Sequence, residues 1–347
     1  MSNKSKRTEL HELGEFRVID HLTERVKNTN KSTIKGVGDD AAVINPDGKR
    51  MVVTTDLLLE GVHFDLTYFP IRHLGYKAVI VNLSDVYAMN ASPKQITVSI
   101  GVSKRFCLED LDELYSGIYL ACERYGVDLV GGDTSTSYTG LTLSITAIGE
   151  ANEKDLCYRS GAKTNDLLCV TGNLGAAYMG LQLLEREKKV FDGNPNIKPQ
   201  FEGWDYILER FLKPEVRKTI LEELHIAGIK PSAMIDISDG LSSEAMHICK
   251  NSKVGCRIYL EKLPIDQQTF KIAEEMHIDA IVAALNGGED YELLFTVPIE
   301  FHEKILTIDG VSVIGHITPE NTGAFLVTPD GNEIELRAQG WNALKEE

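Results

Sequence analysis

The chain lacks most of the features that announce metal, redox, nucleotide or membrane chemistry. Its six cysteines, Cys107, Cys122, Cys157, Cys169, Cys249 and Cys256, include no pair at the close spacing of a zinc knuckle or a dithiol redox motif. They are expected to be small buried apolar residues in a reduced, cytoplasmic setting. There is no HExxH and no histidine pair, which leaves zinc without a ligand set. There is no GxxxxGK[ST], no GxGxxG at a strand–helix turn, and no HRD with DFG, so the P-loop, dinucleotide and protein-kinase motifs are all missing. No run reaches transmembrane length, and the start, MSNKSKRTELHELGEF, has no apolar signal-peptide core. No short repeat or low-complexity tract occurs. Positive charge is also short: 36 Lys and Arg face 52 Asp and Glu, a formal −16. Nucleic acid and anionic membranes want a basic surface and are not expected partners. Small phosphates remain open if metal ions bridge them.

What is present is a chain of 347 residues, 43% hydrophobic, enough for two domains or one large one. The spacing of Leu10, Leu13, Phe16, Ile19 and Leu22 predicts a helix. AAVI, the turn NPDGKR and MVVTTDLLL predict a hairpin. HLGYKAVIVNLSDVYAMN reads as a helix that is apolar almost all round and therefore buried. QITVSIGV is a strand, LEDLDELYSGIYLACERYG an amphipathic helix, VDLVGGDTS a strand running into a glycine turn, and LTLSITAIGE an alternating strand. The pattern breaks near EANEKDLCYRSGAKTND, which places a domain boundary at about residue 150, giving units 1–150 and 151–347. The second half supplies strand DLLCVTG, helix LGAAYMGLQLLERE, a polar loop at FDGNPNIKPQFEG with two helices after it, strand SAMIDIS, turn DGLSS, helix EAMHICKN and strand YELLFTV. This mixture is an α/β or α+β fold.

Acidic residues recur where predicted strands end. Asp39 and Asp40 precede one strand, Asp56 closes VVTTD, Asp133 follows LVGG, Asp236 and Asp239 bracket the end of MIDISDG, and Glu289 and Asp290 follow NGG. Turn and cap chemistry accounts for any one of them. Five such sites, most beside glycine, fit a ligand crevice at strand ends better. Asp85 stands inside the apolar helix, with Asn82 on its face and Ser84 beside it. A buried carboxylate has to be paired, protonated or metal-bound. Carboxylates with the Thr54 and Thr55 hydroxyls form an oxygen-only donor set, which suits Mg²⁺ completed by substrate phosphates.

The segments GVGDDAAVI, TTDLLLEGVHFDL, NLSDVYAMNA, LVGGDTS, RSGAKTND, IDISDGLSSE and NGGEDYELLFTV, in this order over nearly the whole chain, resemble the thiamine-monophosphate kinase family. That family lies within the superfamily of aminoimidazole ribonucleotide synthetase and selenophosphate synthetase. The resemblance implies two α/β domains and a homodimer whose N-terminal sheets join into a barrel. It implies ATP, several Mg²⁺ ions, and phosphoryl transfer to thiamine monophosphate to give thiamine diphosphate. The metal ligands it implies are Asp39, Thr54, Thr55, Asp56, Asp85, Asp133, Asp236 and Asp239. Gly132, Asp133, Arg159 and Ser238 would touch ATP, and His63, Glu289 and Trp341 the thiamine substrate. Asp40 is left as a turn or supporting residue. TSTSY follows the GGD segment here, where the family often carries a charge. Read from the residues alone, Arg159 fits a phosphate contact or a surface ion pair, His63 a core histidine, Trp341 a ring stack or a packing anchor, and Glu289 an amine acceptor or a turn cap. Two other readings of the chain stay open, a different ATP-dependent enzyme of the superfamily and a non-catalytic Mg-nucleotide sensor.

Overall fold

The computed structural model describes residues 33–35, 39–40, 42–45, 48–194 and 196–338. The helix predicted over residues 10–22 and Trp341 lie outside the described residues. In chain order the first half holds β1 (Thr33–Lys35), β2 (Ala42–Ile44), β3 (Arg50–Leu59), α1 (Ile71–Ala88), β4 (Ser92–Val102), α2 (Leu108–Tyr125), β5 (Asp128–Thr136) and β6 (Leu141–Ala151). Its strands form one six-stranded sheet in the order β1-β2-β3-β6-β4-β5, antiparallel except for the β4–β5 pair. The hairpin read from AAVI and MVVTTDLLL is the β2–β3 pair.

Alternation along β4 and β6 sends Ile96, Val98, Ile100, Leu143, Ile145 and Ala147 toward one face, where Leu74, Val79, Ile80 and Leu83 of α1 and Leu114 and Ile118 of α2 join them in one core. Register fixes what the other face carries. Thr55, Thr146 and Thr97 form one cross-strand row, and Leu57, Ser144, Ser99 and Asp133 the next. These residues are half-buried or exposed, so the sheet has one packed face and one open, hydroxyl-rich face.

The second half contains β7 (Leu167–Thr171), α3 (Ala176–Gly193), α4 (Asp205–Leu212), α5 (Lys218–Ile226), β8 (Ala233–Asp236), α6 (Leu241–Ser252), β9 (Val254–Tyr259), α7 (Gln267–Glu275), α8 (Ala280–Asn286), β10 (Leu293–Val297), β11 (Val311–Pro319), β12 (Ala324–Val327) and β13 (Glu333–Glu335). Its seven-stranded sheet runs β13-β12-β9-β11-β7-β10-β8. Helix α1 packs on α2 and β6 on one side and meets β8 and α4 on the other. That position explains a helix with almost no polar face: it is covered by both halves.

Two expectations need correction. The strand from Asp128 does not stop in a glycine turn; β5 continues through Gly131, Gly132 and Asp133 to Thr136, paired with β4. Gly132 is where the chains come closest, since a Cβ there would sit 1.8 Å from the Val98 carbonyl oxygen. The glycine serves sheet pairing, not a bend. The turn read over DGLSS is also shorter than expected, because α6 already begins at Leu241.

Candidate metal and nucleotide site

Helix α1 presents one residue to a crevice. From Leu74 to Met89 every residue is buried except Asp85, which is partly accessible. Asp40, just before β2, and Asp236, the last residue of β8, meet it there. One carboxylate oxygen from each of Asp40, Asp85 and Asp236 lies within 4.8 Å of the other two. Asp40 and Asp236 are 8% and 3% exposed. The three come from two sheets and the helix between them, and among the described residues they are the one group of this kind.

Neighbouring side chains aim these carboxylates. Thr54 on β3 donates to Asp85 Oδ2 at 2.6 Å, and Ser84 donates to Asp236 Oδ2 at 2.6 Å. Arg159 spreads its guanidinium across Asp40, with Nη2 to Oδ1 at 2.6 Å and Nε to Oδ2 at 3.0 Å. This two-point fork is the strong form of such a pair. The Arg159 backbone N–H donates to Asp39 Oδ1 at 2.9 Å. Asn82 accepts the Asp56 backbone N–H at 3.0 Å and donates to the Ala78 carbonyl at 3.0 Å, tying β3 to α1.

The electrostatics follow from this crowding. Burial, then Asp236, Asp56 and Asp40 beside it, push the Asp85 carboxyl well above the usual carboxylate range. Burial, then Asp40, do the same to Asp236. Asp56 is pushed up to about 6 by burial. Like charges this close cannot all ionise unless a counter-charge lies among them. Arg159 answers Asp40; Asp85 and Asp236 are given only one hydroxyl each by the bonds above. The donors are all oxygen, with no thiolate or imidazole among the three, which is the set a hard divalent cation takes.

Of the three residues named for the thiamine substrate, Glu289 stands beside this group. The loop from Gly287 to Glu292 is fastened to the end of β8 by the Glu289 N–H to the Ser238 carbonyl at 2.7 Å and the Tyr291 N–H to the Ile237 carbonyl at 2.9 Å. Glu289 and Tyr291 both have left-handed backbone, at φ 61° and 50°. Such conformations cost about 1–3 kcal/mol each and persist only where the surroundings impose them. Gly288, at φ 70°, permits the approach, since a Cβ there would lie 2.4 Å from the Ser238 carbonyl oxygen. Strand β10 therefore starts at Leu293, two residues later than YELLFTV suggests.

The remaining residues named from the sequence are dispersed. Thr55 is on the open face, donating to the Ile145 carbonyl at 3.0 Å and accepting from Thr146 at 3.1 Å. Gly132 and Asp133 lie on β5, three strand spacings from β3, about 14 Å at the usual interstrand distance. The described structure does not bring Asp133 into the group of three. Asp239 sits in the turn before α6, with its N–H on Glu244 Oε1 at 3.3 Å. His63 accepts the Leu59 N–H on Nδ1 at 3.0 Å, which leaves Nε2 as the protonated nitrogen of a neutral ring.

Four residues matter more here than their sequence context suggests. Asp40, set aside as a turn residue, is one of the three converging carboxylates. Ser84, visible only as a polar neighbour of Asp85, reaches across to the other sheet. Tyr291 is buried between Glu289 and the carboxylates; burial, then Glu289, Asp56, Asp236 and Asp239, raise its hydroxyl well above its ordinary value. Lys77 lies buried in α1 and pairs with Glu289. A lysine within an otherwise apolar helix was the signal for it.

Residues 38–151 match the family model described as AIR synthase related protein, N-terminal domain. The chain is 37% identical over 340 residues to the thiamine-monophosphate kinase of Buchnera aphidicola subsp. Schizaphis graminum, covering 95% of this chain and 99% of that protein. It is 33% identical over 339 residues to the thiamine-monophosphate kinase of Bacillus subtilis (strain 168), covering 96% and 100%. Among solved structures it superposes on one described as AaThiL complexed with AMPPCP and TMP, with a TM-score of 0.83, 33% identity, and 97% and 99% coverage of the two chains.

Proposed function

The chain belongs to the thiamine-monophosphate kinase family, and we propose that its converging aspartates are where this enzyme gathers Mg²⁺ and the phosphates of ATP. The reaction is phosphoryl transfer from ATP to the phosphate of thiamine monophosphate, yielding thiamine diphosphate. The observation that carries the site reading is the meeting of Asp40, Asp85 and Asp236 from two sheets and one helix.

The acceptor is a phosphate monoester whose second pKa is about 6, so it is already anionic near neutrality and needs no general base. The obstacle is repulsion: two unit charges 4 Å apart repel by ~4 kcal/mol at an effective dielectric of 20. Bound Mg²⁺ supplies the opposing charge and stabilises charge on the transferred group. The chain's residues hold and orient. Asp85 and Asp236 offer oxygens steadied by Thr54 and Ser84, Arg159 balances Asp40, and Asn82 fixes the backbone that carries Asp56. Asp39, Asp56 and Asp239 border this group and are read as further metal ligands. Ser238 and Arg159 are read as ATP contacts, and His63 and Glu289 as contacts of the thiamine moiety, with Trp341 joining them from outside the described residues.

Thr55, Gly132 and Asp133 require a second copy in this reading. They lie on the open face and outer edge of the first sheet, where Leu57 and Val130 are 52% and 56% exposed. A homodimer joining two such sheets into a barrel would cover that face and bring one chain's Asp133 toward nucleotide held by the other. The two sheets are correspondingly read as two domains, 1–150 and 151–347. No helix among the described residues is long and apolar enough to cross a membrane. The free cysteines, five of them buried, suit the cytoplasm.

The test is ADP release from ATP and Mg²⁺ with thiamine monophosphate, thiamine and formylglycinamidine ribonucleotide compared side by side. The wild type is expected to turn over with thiamine monophosphate alone. Asp85→Asn and Asp236→Asn are each expected to lower kcat roughly a hundredfold or more, the scale of several kcal/mol of lost charge stabilisation. Near-normal rates in both variants would remove the site reading, and ATP binding without turnover would indicate a sensor.

A further inference from the structure

Lys77 is 3% exposed, in the middle of the helix that carries Asp85. A charge buried this deeply is kept only where its partners are well arranged. The ammonium donates to Glu289 Oε2 and to the Phe211 carbonyl, the latter at 3.1 Å. The carbonyl belongs to the last turn of α4, whose final oxygens have no partner within the helix. Two rings complete the surround: Nζ is 4.0 Å from the centroid of Phe211 and 5.4 Å from that of Phe69, and the rings meet edge to face at 5.6 Å. Glu289 itself is different. Its side chain is 33% exposed, and among the described residues its other oxygen, Oε1, is met by the Tyr291 hydroxyl at a long 3.4 Å. One oxygen is held by the buried lysine, while the carboxylate as a whole stays partly accessible.

We propose that Lys77 is the positioning residue for acceptor recognition: by holding Oε2 it presents Oε1 of Glu289 to an N–H donor of the acceptor's aminopyrimidine. This deepens the reading of Glu289 as an acceptor contact and rests on it. The geometry asks for such a device because Glu289 sits on a left-handed residue in a two-glycine loop, where a partly exposed carboxylate has several rotamers open to it. The ion pair selects one of them. It also links the acceptor loop directly to α1, so that the helix presenting Asp85 sets the position of Glu289 as well.

The experiment compares Lys77→Met, Lys77→Gln, Glu289→Gln and the double variant Lys77→Met/Glu289→Gln in full-length enzyme. KM for thiamine monophosphate and for ATP are measured separately, with thermal melting as a check on folding and calorimetry of thiamine monophosphate binding as a readout apart from turnover. Lys77→Met is expected to raise KM and Kd for thiamine monophosphate roughly tenfold to a hundredfold, the range for a hydrogen bond to a charged group, with KM for ATP nearly unchanged. The double variant is expected to be no worse than Glu289→Gln, because the two residues act through one contact. Lys77→Gln, which keeps an N–H donor, is expected to fall between wild type and Lys77→Met. Should Lys77→Met not fold, Lys77→Gln carries the comparison, with KM for thiamine monophosphate raised a few-fold and ATP unaffected. An unchanged acceptor KM in the Lys77 variants while Glu289→Gln raises it would overturn the proposal and leave Glu289 as a contact. Additive effects in the double variant, or equal losses toward ATP, would also overturn it. An unchanged acceptor KM in Glu289→Gln would overturn the reading of Glu289 and the proposal with it.

Discussion

Asp290 and Asp236 are acidic side chains with almost no water around them, and the fold treats them differently. Asp290 accepts the Gly175 N–H at 2.8 Å and lies beside Arg210, so it is a buried anchor for the start of α3. Burial outweighs those partners and pushes its carboxyl up to about 6. A folded-state pKa above the unfolded value means the native chain holds this proton more tightly. The stability linked to it is present below about pH 4 and is lost as pH rises through about 6, on the order of 3 kcal/mol for a shift of this size. Urea unfolding of wild type and Asp290→Asn between pH 7 and pH 4 tests this. The wild type is expected to gain on the variant as pH falls, whereas a difference independent of pH would show an ordinary ionised Asp290. Asp236 takes the Ser84 hydroxyl and feels Arg159 only at longer range, the guanidinium being bonded to Asp40. Sequence context could not separate these two, because both are acids at the edge of a strand. It also favoured Asp39 over Asp40: both touch Arg159, Asp39 through the backbone N–H and Asp40 through the guanidinium, and Asp40 is the one that meets Asp85 and Asp236.

Elements were legible where one pattern dominated. Helix α1 announced its burial by lacking a polar face, and β6 by strict alternation. Strand β5 was misread because its glycines look like a turn when the partner strand is unknown. Its burial pattern is open along nearly its whole length, so no apolar alternation marked it. Strands β9 and β11 carry no clear strand signature in the sequence for a related reason: both alternate irregularly, and β11 shifts register between Val313 and Gly315. The close approach at Gly132 gives a direct check on β5. Gly132→Ala must move β5 off the Val98 carbonyl, so it is expected to lower the melting temperature by several degrees and to weaken ATP binding, read by thermal scanning and by KM for ATP. Wild-type stability with an alanine at this position would mean that the β4–β5 pairing is looser than described here.

At the scale of the whole molecule, the three carboxylates converge because the two halves meet across α1. Asp40 and Asp85 belong to the first half and Asp236 to the second. Their separation along the chain hides that meeting: the residue types pointed to an oxygen-liganded cation, but only the packing of β8 against α1 shows which acids converge. The same packing ties Glu289, through Lys77, to the helix that presents Asp85. The most direct measurement is an anomalous difference map from crystals grown with Mn²⁺ and a non-hydrolysable ATP analogue. The account predicts a Mn²⁺ peak in contact with the carboxylates of Asp85 and Asp236. A map with Mn²⁺ bound only elsewhere, and no peak at these two carboxylates, would contradict it.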